Sequence, residues 1–159
     1  MEDRLLRGRK VRVLTLEDRF SREGLALEPS FSLTAPRVIR ELDAVAAVRG
    51  YPSRLRVNVG PEFTSSKLLE WSIENAVDLH YIEPGKPAQN AWIESFNARV
   101  RDEFLNARAF RSIFELHEAA QELLIDYNEE RPHSSLGYFT PTEFVQTLPL
   151  GPTPQLSMA

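Results

Sequence analysis

Between Val11 and Tyr127 the spacing of apolar residues switches repeatedly between two and about 3.6 residues, which restricts the chain to a sheet layered with helices. Val11 to Leu16 is apolar and β-branched and predicts a strand at about 11–17. Gly24 to Glu28 predicts a second strand, joined to the first as a hairpin. Thr34 in the N-cap position, with Pro36 in the first turn, opens a helix that carries Val38, Ile39, Leu42, Val45 and Ala46 and stops at Gly50. Leu55, Val57 and Val59 alternate as a third strand that ends at Gly60-Pro61. Thr64 or Ser65 caps a short helix with Leu68, Leu69 and Ile73, and Ala76–Ile82 predicts a fourth strand with Val77, Leu79 and Tyr81 on one face. A loop at Pro84-Gly85-Lys86-Pro87 leads into a helix from about Gln89 to Asn106. A further helix opens at Arg111 or Ser112 and buries Ile113, Leu116, Ala120, Leu123, Leu124 and Tyr127. Thr140 to Phe144 reads as a capped final turn, and Leu148 onward, rich in Pro and Gly, reads as frayed. The expectation is an α/β domain over residues 1–146 and a flexible tail over 147–159, with the first strands antiparallel and the later ones parallel.

At 159 residues the chain is long enough for a real core, and its 42% hydrophobic and 26% charged residues are ordinary for a globular protein. The absence of cysteine excludes disulfides and thiolate metal sites. No apolar run approaches the roughly 20 residues that span a bilayer, and the charged Met1-Glu2-Asp3-Arg4 start lacks a signal-peptide apolar region. A cytoplasmic protein, nucleoid-associated if DNA-bound, is expected, with no membrane partner. The net charge of −4 argues against a bulk basic DNA binder, so any DNA contact must come from a local patch.

Two segments carry the chemistry. The first is Arg56-Val57-Asn58-Val59-Gly60-Pro61-Glu62-Phe63; the second is Pro84-Gly85-Lys86-Pro87-Ala88-Gln89-Asn90-Ala91-Trp92-Ile93-Glu94-Ser95-Phe96-Asn97. Together they resemble the catalytic core of bacterial insertion-sequence transposases of the DDE type, relatives of retroviral integrases, which read roughly R-V-D-N-G-P-E-F and P-G-K-P-x-Q-N-x-x-I-E-S-F-N. Thirty-five residues separate Asn58 from Glu94, as in that family. The resemblance extends upstream through Val11 to Glu23, where Asp18 matches a turn Asp that is not one of the catalytic three, and downstream to Arg131-Pro132-His133-Ser134-Ser135-Leu136-Gly137-Tyr138. It covers about residues 3–145.

The resemblance implies a ribonuclease H-like mixed sheet flanked by helices, with the first, central strand largely missing because only four strands are evident. It implies a metal-dependent DNA strand transferase or nuclease that uses Mg2+ or Mn2+. Two such cations, roughly 3.5–4 Å apart, would bridge the scissile phosphate and want three carboxylates. Here the family's second Asp is Asn58, the first aligns just ahead of Met1, and Glu94 alone remains as an acid and metal ligand. The chain is therefore expected to be an N-terminally truncated and catalytically impaired core. The alternatives are a regulatory module that binds DNA or a transposase, and a fragment of an active strand transferase. Its partners by resemblance are DNA, both transposon ends and target, and a second copy or a full-length transposase. Loss of the central strand also predicts exposed sheet edges and a marginal, aggregation-prone fold.

Simpler readings stand beside these. A lone glutamate on a helix is more often a solvated carboxylate, and a strand-end asparagine more often caps a turn; the motif and its spacing give Glu94 and Asn58 their meaning. By the 3.6-residue period Asn90, Glu94, Asn97 and Arg101 share a polar face, opposite Trp92, Phe96, Val100 and Phe104, which reads as core. Lys86, Gln89, Asn90, Asn97 and Arg101 are the candidate DNA contacts, though single cations, Arg99 among them, are more often plain surface charges. His80, His117 and His133 have no metal-ligand spacing.

Overall fold

The computed structural model describes residues 1–82, 91–148 and 155–158. In chain order the elements are β1 (Glu2–Arg4), β2 (Lys10–Asp18), β3 (Gly24–Ser30), α1 (Ala35–Arg49), β4 (Arg54–Val57), α2 (Ser66–Glu74), β5 (Asp78–Tyr81), α3 (Ala91–Arg99), α4 (Ile113–Glu129), α5 (Pro141–Thr147) and β6 (Gln155–Met158). A π-helical segment, Val100–Leu105, continues α3, and a 3-10 turn, Ser134–Leu136, precedes α5.

The expected β2–β3 hairpin is present, with a register irregularity between Leu16 and Glu17. Helix α1 ends at Gly50, whose φ of 79° suits a residue without a Cβ. Thr34 holds the N-cap position, but its side chain makes no capping bond; its carbonyl accepts from Arg37 N and Val38 N. Ser65, Ser112 and Thr140 do cap with their side chains, and Thr140 forms a reciprocal capping box with Glu143.

The sheet runs β3–β2–β6–β4–β5, with β1 on the same edge of β2 as β6. β6 is antiparallel to β2 (Leu16 opposite Met158) and parallel to β4 (Val57 opposite Met158). Residues 155–158, expected to lie in a flexible tail, thus form a central strand. The expectation of unpaired apolar edges on β2 and β4 fails for the same reason: β6 lies between them and takes up their backbone groups. β1 pairs antiparallel with the start of β2, Glu2 opposite Arg12 and Arg4 opposite Lys10. Met1 N donates to Val13 O (2.7 Å) and Val13 N to Met1 O (2.8 Å). Only Leu14 and Thr15 of β2 separate the positions paired with Met1 from those paired with β6, so β1 and β6 lie nearly end to end along one edge.

Pleating sorts the sheet into two cores. Val11, Val13 and Leu27 face α3, the π segment and α4, packing with Ile93, Phe96, Val100, Phe104, Leu116 and Tyr127. Leu14, Leu16, Leu55, Val57, Leu156 and Met158 face α1 and α2, packing with Val38, Leu42, Leu68 and Trp71. The aromatic stripe of α3 is core as expected for Phe96, Val100 and Phe104; the side chain of Trp92 lies outside the described residues, as does the loop at 84–87. Asn128 of α4 locks the two layers: its Oδ1 accepts from Gly24 N (2.9 Å) and its Nδ2 donates to Gly24 O (2.8 Å). A Cβ at Gly24 would meet Leu124 Cδ1 at 2.7 Å and Phe96 Cζ at 3.1 Å, so a larger residue there would require the Leu124 side chain to shift.

Candidate active site

β4 delivers Asn58 at its C-terminal end, exposed, with its carbonyl accepting from Gly60 N (3.1 Å). Gly60 O then accepts from Phe63 N (3.0 Å) and Thr64 N (2.9 Å), folding the chain into a tight turn whose buried Phe63 anchors it in the core beside α2. The turn tucks in Glu62. A Cβ at Gly60 would stand 3.2–3.3 Å from the Glu62 carboxylate, and that carboxylate lies 3.7 Å from Arg12 Nη1 on β2. Glu62 Oε2 is buried and makes no hydrogen bond among the described residues.

Helix α3 presents Glu94 in its first turn, exposed, one residue after fully buried Ile93. Asn97 is half-buried, and its Oδ1 has no hydrogen-bond partner among the described residues. Arg101 is exposed, with Nη2 donating to Glu2 O at 3.3 Å. The helix widens from Val100 to Leu105, where Asn106 N reaches back five residues to Arg101 O (2.8 Å). A 3.6-residue count therefore holds from Glu94 to Asn97 but slips by Arg101. Lys86, Gln89 and Asn90 lie outside the described residues.

The donor chemistry decides whether a pair of divalent cations fits. Among the described residues no group of three or more His, Asp or Glu side chains is arranged to hold a metal. The central strand contributes Gln155, Leu156, Ser157 and Met158, none of them a carboxylate. Asp18 is engaged by its own turn: its carboxylate accepts from Phe20 N (3.0 Å) and Ser21 Oγ (3.0 Å). Glu62 is turned toward Arg12. What remains is one carboxylate on α3 and one neutral amide after β4. Among the described residues this set does not fit a two-cation centre, which needs hard anionic oxygens to offset four positive charges.

A second polar group, unseen in the sequence, lies under β6. Glu17 is buried, and register places it opposite Ser157. Burial pushes its carboxyl up to about 8, with Asp18 adding to the rise and Arg22 and Arg99 opposing it. His133 is buried edge-on to Tyr127, ring centroids 4.9 Å apart, and burial followed by Arg99, Arg22 and Arg131 lowers its pKa. Tyr127 is raised, chiefly by burial and then by Glu17. The backbone around His133 is tied by His133 N to Phe139 O (3.0 Å) and Tyr138 N to His133 O (2.9 Å), with Gly137 and Tyr138 both at φ 66°. The Arg131–Tyr138 motif is thus a folded cap on α4. Nothing in the sequence announces that the Tyr127 and His133 rings meet or that Glu17 is buried.

A mixed sheet with a layer of helices on each face defines a ribonuclease H-like α/β protein, with Asn58 following β4 and Glu94 in the first turn of α3. Solved structures of that class superpose on it. The simian T-cell lymphotropic virus intasome in complex with PP2A regulatory subunit B56 gamma matches with a TM-score of 0.78 at 17% identity, over 98% of this chain and 55% of that one. The HTLV-2 integrase catalytic core domain in complex with magnesium matches with a TM-score of 0.71 at 14% identity, over 91% of this chain and 90% of that one. At such identity the likeness is one of fold. Models of the integrase core domain match residues 2–87 and 75–141, and the chain belongs to the integrase core domain family.

Two curated relatives are similar along most of its length. An insertion element IS407 uncharacterized 31.7 kDa protein of Burkholderia multivorans is 44% identical over 142 residues, covering 89% of this chain and 51% of the relative. An insertion element IS476 uncharacterized 39.2 kDa protein of Xanthomonas euvesicatoria is 39% identical over 142 residues, covering 89% of this chain and 41% of the relative. The chain spans about half the length of the curated relatives it matches. Among the described residues no helix is long and apolar enough to cross a membrane.

Proposed function

We propose that this chain is an integrase core domain that contacts DNA in integration or transposition and is impaired for strand transfer. One observation carries the reading: the residue at the end of β4, where the family resemblance aligns its second acid, is the neutral Asn58, leaving Glu94 as the one carboxylate of the candidate pair. An amide oxygen can still ligate a cation, but it brings no charge, and Mg2+ binding depends on carboxylate charge. Glu94 and Asn58 are the site positions of this reading. Asn97 and Arg101, with Lys86, Gln89 and Asn90 in the segment ahead of α3, are its DNA contacts. Its partners are transposon-end and target DNA, and a second copy or a full-length transposase.

The test is a strand-transfer assay on duplexes carrying the terminal sequences of the insertion element, with Mg2+ or Mn2+ supplied. No product above background is expected from the chain, and Asn58→Asp alone is expected to leave it inactive. Clear turnover by the unaltered chain would overturn the impairment. Calorimetric titration with Mn2+ gives a second readout: two tight sites per chain would contradict the donor count.

A further inference from the structure

The positive charge of this acidic chain is concentrated. Residues 4–12 carry five cations and no acid, and residues 104–114 carry two cations and no acid. Against a whole-chain charge of −4, the remainder carries −11. The fold brings these two segments together at one tip. The turn between β1 and β2 closes through Leu5 N to Arg9 O (3.0 Å) and Gly8 N to Leu5 O (2.7 Å), with Gly8 at φ 80°. Leu6 N then donates to Phe110 O (2.9 Å) in the loop ahead of α4. Leu5 and Phe110 are both buried, and the Phe110 ring sits 5.0 Å from that of Phe104.

Arg4, Arg7, Arg9, Arg108 and Arg111 stand exposed around this stitched tip, and among the described residues none of the five is ion-paired to a carboxylate. The Arg4 guanidinium donates to Gly8 O (3.0 Å), and that of Arg9 lies 3.5 Å from the centroid of the Phe31 ring. Lys10 and Arg12, by contrast, are partly neutralised by Glu2 at 3.8 and 3.2 Å. Five like charges held on a tight scaffold repel one another, and a polyanion relieves that repulsion. Because both loops are anchored in the core, little ordering entropy is lost on binding. Strand direction also places the tip relative to Asn58. β1 and β6 both oppose β2, and β6 runs with β4, so β4 points toward the tip. Asn58 therefore follows a strand that runs toward the tip but stops about 20 Å short of it along the strand axis, the rise of six strand residues.

We propose that the tip formed by the β1–β2 turn and the loop ahead of α4 is a phosphate-backbone binding site for duplex DNA, separate from the Asn58–Glu94 site. It rests on the DNA-contacting reading above and names the surface that does the holding. Guanidinium groups on turns contact phosphates without reading bases, so the site is indifferent to sequence and sensitive to salt.

The test is fluorescence anisotropy with a labelled duplex of about 30 base pairs of arbitrary sequence, titrated between about 50 and 200 mM salt. The variant Arg7→Glu with Arg108→Glu is compared with Lys67→Glu with Arg40→Glu, which changes net charge equally at exposed sites on α2 and α1, and thermal melts establish that each is folded. The tip variant is expected to lose at least about tenfold in affinity and to lower the salt slope by about 0.9 for each phosphate it no longer neutralises. The control variant is expected to stay within about threefold of the unaltered chain, since a distant charge acts only through the screened field. Equal losses in both variants would overturn the proposal, because net charge alone would then explain binding. No loss in the tip variant would overturn the tip while leaving DNA contact elsewhere intact. No binding by the unaltered chain would remove both the tip and the DNA-contacting reading, whereas the strand-transfer result stands independently of all these outcomes.

Discussion

Glu17 and His133 are both buried yet respond to pH in opposite senses. Glu17 titrates near 8 in the fold against an ordinary 4.5, so the folded state holds its proton more tightly than the unfolded chain does. Its stabilising contribution is complete below about 4.5 and is lost as pH rises through about 8, worth about 1.4 kcal/mol for each pKa unit of difference. The melting temperature of the unaltered chain should therefore fall between about pH 4.5 and 8, and Glu17→Gln, which cannot ionise, should flatten that fall. A Gln variant whose melting temperature drops as steeply would refute the assignment. His133 is held below its ordinary 6.5, so its contribution is present above that value and is lost as pH falls through its folded pKa. The sequence places Glu17 at the end of a predicted strand. It does not foretell the burial, because that requires β6 to pass beside it from the far end of the chain.

Elements are legible where local chemistry specifies them. The helices over 35–49, 66–74 and 113–129 start at residues that can cap and carry apolar stripes at helical spacing, and the structure places them there. Thr140 and Glu143 close a capping box that is readable as a short motif; Thr140→Ala should cost about 1 kcal/mol in chemical denaturation. The Asn128–Gly24 clamp is not legible, since 104 residues separate its partners. Asn128→Ala strands two backbone groups at the start of β3 and should destabilise by about 1–3 kcal/mol in the same measurement, more than removal of the cap. The widened turn after Arg99 also escapes a periodicity count, because a fixed 3.6-residue template cannot register a change of helix type partway along.

Across the whole molecule, the sequence places Asn58 at a strand end and Glu94 on a helix, and the structure has them on those elements, just after β4 and in the first turn of α3. The architecture is readable only in part. Gln155–Met158 is four residues long, follows a Pro- and Gly-rich stretch, and alternates only Leu156 and Met158, too little to announce a strand from local pattern. What makes it one is the pair of open edges that β2 and β4 present. Ser157→Pro removes an N–H from a strand paired on both sides and places a ring in the ladder. It should abolish the cooperative melt and expose dye-binding apolar surface; a sharp transition in that variant would show that the sheet closes without β6.

The place of β6 also fixes a timetable. β2 and β4 leave the ribosome before β6, and about a hundred further residues must be added after β4 before the strand that lies between them exists. At about 5–20 residues per second this interval lasts roughly 5–20 s. Throughout it the nascent chain carries two bare, sticky borders facing one gap, so its yield in the cell should depend on chaperones and on growth temperature more than its finished stability would suggest. Pulse-labelled chains released at residue 148 should be cleared by proteases far faster than those that reach Met158.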